Sequence, residues 1–301
     1  MLARCRTLCW LVVALALVVS ADGQEKQQAK PKAEAKQAEK KPKSIFRDKA
    51  LEEAVRKYVF EKRFTKDPIT ADDVKTLSTI HARNAGIKDL SGLEHCVSLA
   101  ELDVSGNEIT DLSPIKDLEL IQLLDISRNK IQDIKPLAKL KNLQYLNAEH
   151  NQIEDISVVK ELTNLNSLYL SYNKIKDIRP VAGLKKLWSL YLRGNLIQDI
   201  TPVKDLVYLA NLDLAENRIE DVSPLAGMKE LRFLFLERNR VRDLAPVLEA
   251  VRRDLQGPRV MGPFLKLYVW GNPLSDDGKK QLEELRKAGV RVYDKELKPK
   301  R

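Results

Sequence analysis

Seven asparagines recur in this 301-residue chain at an unbroken interval of 22 residues, and this period restricts the fold more than any other feature. They are Asn107, Asn129, Asn151, Asn173, Asn195, Asn217 and Asn239. Each stands in an apolar frame such as Leu102-Asp-Val104-Ser-Gly-Asn107-Glu-Ile109. An earlier copy has Ala85 at the asparagine position, and a later copy has Asn272 after 33 residues, which makes nine copies. No copy can bury its apolar face alone, so the copies must stack.

The residue types in each copy predict its local structure. Alternating apolar residues predict a short strand with two side chains directed inward. The asparagine that follows turns inward, where its amide can pair with backbone groups of neighbouring coils. We therefore expect a buried asparagine ladder made of the seven residues above and Asn272. Apolar residues at three-residue spacing, such as Ile109, Leu112 and Ile115, then predict a short 3₁₀ or α turn on the opposite face.

Polar residues mark the entry to each predicted turn. Ser-Pro or Thr-Pro pairs such as Ser113-Pro114 suggest that a hydroxyl caps the turn and that proline occupies its first position. Eight copies also carry an aspartate four residues after the asparagine position: Asp89, Asp111, Asp133, Asp155, Asp177, Asp199, Asp221 and Asp243. We interpret these as turn and cap acceptors, because a catalytic or metal-binding carboxylate would not need to recur in every coil.

This frame resembles the repeats of bacterial leucine-rich repeat proteins of the internalin and SDS22-like type, over residues 45 to about 293. The resemblance implies an α/β solenoid, a horseshoe with a parallel β-sheet on its concave face and short 3₁₀ or α turns on its convex side. It also implies a role in binding proteins. An apolar stripe through Leu51, Ala54 and Val55 predicts a helical N-terminal cap. A helix and then a strand after Ser275 predict a helix-strand C-terminal cap.

Composition divides the chain into six segments. Residues 1–21 combine a basic start, an apolar run of 12 residues and a small-residue end, which predicts a secretory signal peptide, with a retained anchor as the alternative. Residues 22–43 are Lys-rich without a large apolar side chain, which predicts a disordered tether. The others are a helical cap at 44–79, repeats at 80–274, a cap at 275–293 and a basic tail at 294–301. The insertion at about 250–263 forms either a movable rim to the sheet or an ordinary convex insertion.

The net charge of +9 lies mainly at the two ends of the chain. Residues 44–293 carry a net charge of only +2, so we do not expect nucleic-acid binding. The Lys-rich termini are suited to weak contact with an anionic cell surface. Once the leader is removed only Cys96 remains, at a core position, so no intramolecular disulfide is expected. We expect a secreted or periplasmic (cell-envelope) protein that is monomeric, has no cofactor or metal, and has no transmembrane segment after cleavage.

The outward strand positions lie six, four and two residues before each asparagine and form columns across the concave sheet. Aromatic residues are concentrated there although they make up only 6% of the chain. Exposed rings mixed with arginine match the composition of protein interfaces. We therefore expect a protein partner to bind Tyr145, Tyr169, Tyr172, Tyr191, Arg193, Phe233, Phe235, Tyr268 and Trp270. The alternative is that these rings simply suit a sheet surface and stack on one another.

No constellation in the sequence predicts an active site. Asp103 and Asp125 are neighbours in the central column, but aspartate is common at this position of the repeat type, and His81 has no nucleophile arranged with it. The sequence also has no Gly-rich phosphate loop and no paired cysteine ligands. We therefore predict a non-enzymatic protein-binding module. Two alternatives remain: a tethering or scaffold protein that acts through its Lys-rich segment, and a phosphatase-regulating subunit, which the predicted export disfavours.

Overall fold

The computed structural model describes residues 43–257 and 259–296. The predicted signal peptide, nearly all of the Lys-rich tether and the end of the basic tail lie outside the described residues. Within the described ranges, no helix is long and apolar enough to span a bilayer.

Ten three-residue strands form one parallel sheet in which each strand pairs with the next along the chain. They are β1 (Thr79–His81), β2 (Glu101–Asp103), β3 (Leu123–Asp125), β4 (Tyr145–Asn147), β5 (Ser167–Tyr169), β6 (Ser189–Tyr191), β7 (Asn211–Asp213), β8 (Phe233–Phe235), β9 (Lys266–Tyr268) and β10 (Arg291–Tyr293). Residues one repeat apart lie opposite each other, as Leu146 does with Leu168. The α/β solenoid predicted from the 22-residue period is confirmed.

Short turns and four helices complete the coils. Eight 3₁₀ turns lie at Leu93–His95, Ser113–Ile115, Lys135–Lys139, Ser157–Glu161, Arg179–Val181, Thr201–Val203, Ser223–Gly227 and Gly262–Phe264. The helices are α1 (Lys49–Arg56), α2 (Ala71–Val74), α3 (Ala245–Leu255) and α4 (Asp276–Lys287). The core runs between sheet and turns: in one coil Leu168 and Leu170 from the strand side meet Ile175, Ile178 and Val181, all of them at most 1% exposed. Each such side chain contributes about 1.5–3 kcal/mol by leaving water.

The asparagines form a buried column that joins adjacent coils. Asn173 is typical: its Nδ2 donates to the carbonyl oxygens of Ala148 in the preceding coil and Leu170 in its own coil, each at 3.0 Å. Its Oδ1 accepts from the backbone N–H of Ile153, also at 3.0 Å. The other asparagines at this position repeat the pattern down to Asn272, which lies at the C-terminal end and is only half-buried. One amide therefore satisfies backbone groups that the core would otherwise leave unpaired.

The recurrent aspartates cap the turns, as predicted. In all eight copies a carboxylate oxygen accepts from the backbone N–H two residues further on, at 2.7–2.9 Å. The prediction that the serine or threonine hydroxyl caps the turn is wrong. Ser113 and Thr201 are themselves the first residues of their turns and make no side-chain cap bond. The capping acceptor is instead the aspartate two residues earlier, whose carboxylate reaches the backbone N–H of the serine or threonine.

One carboxylate ties the start of the N-terminal cap to the first coil. Helix α1 buries Leu51, Ala54 and Val55. Asp48 Oδ1 accepts from the N–H groups of Ala50 and Leu51 at the start of α1, and its Oδ2 accepts from those of Lys88 and Asp89 in the first coil. Burial disfavours the charged carboxylate, but these four donors outweigh it and lower the pKa of Asp48.

Helix α4 and strand β10 close the C-terminal end. Helix α4 buries its own side chains Leu282 and Leu285 there. The insertion that precedes β9 is organised by the buried Asp254, whose carboxylate accepts from the N–H groups of Val260, Met261 and Gly262. Helix α3 packs against the turn Ser223–Gly227 and against α4. The insertion therefore lies on the convex side, which is the second of the two arrangements considered from the sequence.

Asn173→Ala should lower the free energy of unfolding by about 2–4 kcal/mol, because it leaves buried backbone groups of two coils without partners. Urea denaturation measures this change. Asn164→Ala is the matched control, because its half-buried side chain makes one backbone bond and one bond with Lys186, both outside the ladder. The control should stay within about 0.5 kcal/mol of the parent. Equal losses in the two variants would contradict the role given to the ladder.

Asp48→Ala should destabilise the protein by about 2 kcal/mol, since four backbone N–H groups lose their acceptor. The pKa of Asp48 is lowered in the folded state, so its stabilisation is present above the ordinary value of 3.8 and is lost as the pH falls through the folded value. The difference between parent and variant should therefore shrink in acid, as followed by thermal denaturation against pH. Asp72→Ala is the control, since Asp72 is exposed and pairs only with Lys75. A pH-independent difference would contradict the assignment.

Candidate protein-binding face

The solvent side of the sheet, here called the concave face, carries two stacks of aromatic rings. The first contains Tyr145, Tyr169 and Tyr191, with ring centroids 5.3 and 4.7 Å apart in successive strands. The second contains Phe235 and Tyr268, 4.5 Å apart, with Phe233 beside Phe235 at 6.2 Å. Contacts between opposite residues of neighbouring strands, together with the diagonal contact of Tyr145 and the same-strand contact of Phe233, thus bring six of the nine predicted partner-binding residues into two clusters.

These rings are half-buried, not fully exposed as the sequence suggested. Of the eight predicted aromatic residues Tyr172 is the most exposed, with 39% of its surface accessible, and the other seven are half-buried. The physical reason is the strand spacing of about 4.8 Å, which presses each ring against its neighbour and covers one face of it. Stacking of the rings, considered above as the alternative, is therefore present. It leaves part of the surface of each residue open to solvent.

Asp213 interrupts the aromatic column between Tyr191 and Phe235. It is 6% exposed and accepts from Arg193 Nε at 3.0 Å. The same guanidinium donates to Glu216 at 3.1 Å and reaches over a whole coil to Glu237 at 3.3 Å. Arg193 follows Tyr191 by two residues in the chain, and its guanidinium carbon lies 5.9 Å from the centroid of the Phe235 ring.

One guanidinium serves three carboxylates in this network. Burial opposes the charge of Arg193, but Asp213 and Glu237 outweigh it and raise the pKa of the guanidinium. Burial raises the pKa of both Asp213 and Glu237, and Arg193 offsets this effect only in part. Glu237 Oε2 is buried without a hydrogen-bond partner, which is the only such side-chain atom in the described ranges. The cluster therefore holds more buried negative charge than its single cation neutralises.

Tyr172 and Trp270 lie apart from the two stacks. Tyr172 stacks on His150 at 4.4 Å and covers Gly194, where a Cβ would lie 2.6 Å from the ring. Gly194 has a φ of +66°, which Tyr172 and Glu216 also adopt at the same position of the neighbouring coils, so it is the lack of space beneath the ring that requires glycine there. Trp270 lies under Arg238, whose guanidinium carbon is 4.6 Å from the ring centroid.

The sequence analysis missed Tyr293 and Lys266. Tyr293 in β10 extends the second stack, because its ring lies parallel to that of Tyr268 at 4.4 Å. Lys266 places its ammonium group 4.6 Å above the ring of Phe233. Continuing the central column into the closing strand would have identified Tyr293, since it lies opposite Tyr268 in the register.

The N-terminal half of the concave face is polar, and its carboxylates are engaged in structural bonds. Asp103 pairs with Arg83 and accepts from Ser105, while Asp125 accepts from Ser127 and Asn147. These bonds hold both aspartates in structural roles, and His81 Nε2 lies 2.9 Å from Glu101 Oε1 beside them. Cys96 is fully buried, and burial raises the pKa of its thiol to about 12. In the part of the chain that the structure describes, no group of three His, Cys, Asp or Glu side chains could hold a metal ion.

Comparisons with known proteins agree with this architecture. Family models for leucine-rich repeats match residues 95–112, 121–161 and 163–205. Internalin C2 of Listeria monocytogenes is 35% identical and aligns with 65% of this chain and 94% of its own, with a TM-score of 0.53. A search of curated proteins finds no match.

Two more distant structures share the fold alone. The functional domain of InlJ from Listeria monocytogenes is 22% identical, covers 85% of this chain and 63% of its own, and gives a TM-score of 0.59. A leucine-rich repeat protein of Leptospira interrogans is 23% identical. It covers 66% of this chain and 56% of its own, and gives a TM-score of 0.57. The sheet, the asparagine column and the similarity to internalin C2 together establish that the chain belongs to the bacterial internalin-like leucine-rich repeat proteins.

Proposed function

We propose that this chain is an exported, non-enzymatic protein that binds a protein partner through the aromatic part of its concave face. The observation that carries the proposal is the pair of ring stacks on one face of the sheet, which form a row from β4 to β10 with Asp213 and Arg193 between them. Six strand spacings of about 4.8 Å make this row about 29 Å long. That length fits one side of a folded domain or an extended segment of a partner.

The stacked rings are suited to recognition because their conformations are already fixed. A side chain that must be ordered on binding costs about 0.5–1.5 kcal/mol, and a ring held between neighbours avoids much of this cost. Tyrosine and phenylalanine edges supply apolar contact area, while the tyrosine hydroxyls retain hydrogen-bonding capacity. Arg238 over Trp270 and Lys266 over Phe233 add cationic groups beside the rings. The solenoid geometry presents all of them on one surface.

Export is part of the proposal and rests on the sequence of residues 1–21. A fold held entirely by its core, with one buried thiol and no disulfide among its described residues, needs no oxidative folding to work outside the cell. Protein binding is also the general use of leucine-rich repeat folds.

Replacing Tyr191, Phe235 and Trp270 together by alanine should weaken binding of the partner by at least about 100-fold, because interface aromatics each carry about 2 kcal/mol or more. The partner is first captured from envelope or secreted extract by the chain beginning at residue 22 and identified by mass spectrometry. Its affinity for parent and variant is then measured with purified components.

Tyr208→Ala is the matched control, because Tyr208 is an exposed tyrosine outside the two stacks, at 58% exposure. It should bind as the parent does, and circular dichroism should confirm that all variants are folded. Unchanged affinity in the triple variant would refute the proposed surface, as would an equal loss in the control.

Arg193→Gln should lower the free energy of unfolding by about 3 kcal/mol at pH 7, because Asp213 and Glu237 would remain buried without a cation. Their pKa values are already raised, and loss of the cation raises them further. A raised carboxyl pKa makes stability fall as the pH increases, so the variant should regain part of its deficit relative to the parent when the pH is lowered toward 5. Urea denaturation at several pH values measures this difference, and a deficit that does not change with pH would contradict the network.

A further inference from the structure

Two phenylalanines on the N-terminal cap are among the most exposed large apolar side chains of the described residues. Phe60 and Phe64 have 74% and 88% of their surfaces exposed. Both belong to the segment between α1 and α2, here called the cap loop (residues 57–68). The guanidinium of Arg63 lies 4.4 Å from the ring centroid of Phe60 and 4.8 Å from that of Phe64. Adjacent exposed rings of this kind mark a contact site more often than an isolated surface residue does.

The cap loop is held in place by cations on its inner side. Arg56 Nη1 donates to the carbonyl oxygens of Lys62, Thr65 and Asp67 at 2.8–3.3 Å, while its other nitrogen pairs with Glu52. Lys62 Nζ donates to the carbonyl of Pro68 and pairs with Asp73. These bonds fix the backbone without using Phe60 or Phe64. The fold thus presents the two rings to solvent on an ordered loop, although exposing them brings no gain in stability.

Positive charge surrounds the rings. Lys57, Arg63 and Lys66 are exposed, and none of them makes an ion pair with another residue in the described ranges. Glu61 and Asp67 are the acidic residues of the loop, which leaves it a net charge of +2 when Lys62 is included. Helix α1 adds the exposed Glu53. Aromatic rings beside cations are the composition of a segment that inserts into the headgroup region of an anionic membrane.

A second source of positive charge joins the fold at the base of the same loop. The backbone N–H of Ile45 donates to the carbonyl of Ile69 at 3.0 Å, so the described chain begins beside the end of the cap loop. The segment immediately before it, residues 22–43, carries seven lysines and four acidic residues. A single apolar anchor gives marginal membrane binding, and a polybasic segment supplies the second signal that stable attachment needs.

We propose that the cap loop docks on an anionic lipid surface, with Phe60 and Phe64 entering the headgroup region and Arg63 and the lysines contacting lipid phosphates. The occupant is a lipid bilayer, because charge complementarity and the adjoining lysine-rich segment favour it over a protein. This contact is separate from the concave face, so the protein can remain attached while that face stays free for a partner.

The test is cosedimentation with vesicles of phosphatidylcholine containing about one quarter phosphatidylglycerol, using the chain from residue 22 onward. We expect binding that weakens as salt is raised and that is much weaker on pure phosphatidylcholine. Phe60→Ala with Phe64→Ala should raise the lipid concentration for half-binding more than about tenfold. Arg63→Gln should raise it about fivefold, the effect of one cation near an anionic surface.

Phe264→Ala is the matched control, since Phe264 is 54% exposed and lies under Arg232 but belongs to the opposite end of the solenoid. It should bind vesicles like the parent, as should the triple variant of the concave face. Absence of vesicle binding would overturn the proposal, and so would binding that the double phenylalanine variant retains or that pure phosphatidylcholine supports equally. Capture of a protein that depends on Phe60 and Phe64, without vesicle binding, would assign the loop to a protein partner instead.

Discussion

One buried amide in each coil is the interaction on which the solenoid depends. The chain leaves the sheet every 22 residues, and each exit leaves backbone donors and acceptors inside the core. Asparagine can pair with both kinds of backbone group because its short side chain carries an acceptor and two N–H donors. Through these it joins its own coil to the preceding one. Ala85 fits the same logic: its coil follows the helical cap and has no preceding coil to join, and its own N–H donates to Asn107.

The concave face is a consequence of this spacing. Because the ladder fixes adjacent coils in register, aromatic side chains opposite each other in neighbouring strands meet at 4.4–4.7 Å and have to stack. The polar N-terminal half uses the same positions for aspartate and asparagine, whose bonds tie strands together. Recognition on the aromatic part is therefore built from the same repeat that builds the core.

The sequence predicted whatever recurs and failed where a contact depends on one particular neighbour. The period was sufficient to predict the strand positions, the asparagine ladder and the capping aspartates, because each copy repeats the same environment. The half-burial of the rings required the actual distances between strands. The reach of Arg193 to Glu237 depends on the small Ala215 between them, and no periodicity contains this information. Phe60 and Phe64 lie outside the repeats, so the repeat pattern could not predict their exposure. It became visible only in the structure of the cap loop.

Arg193 also changes how the molecule should come apart. In a solenoid each coil normally contacts only its neighbours, so melting can advance one coil at a time from either end. The bond between Arg193 and Glu237 skips a coil and couples three of them into one block. That block contains one end of each aromatic stack, Tyr191 in β6 and Phe235 in β8. Fraying that begins at the C-terminal cap should therefore pause there, which gives the solenoid a thermodynamic boundary within one continuous sheet.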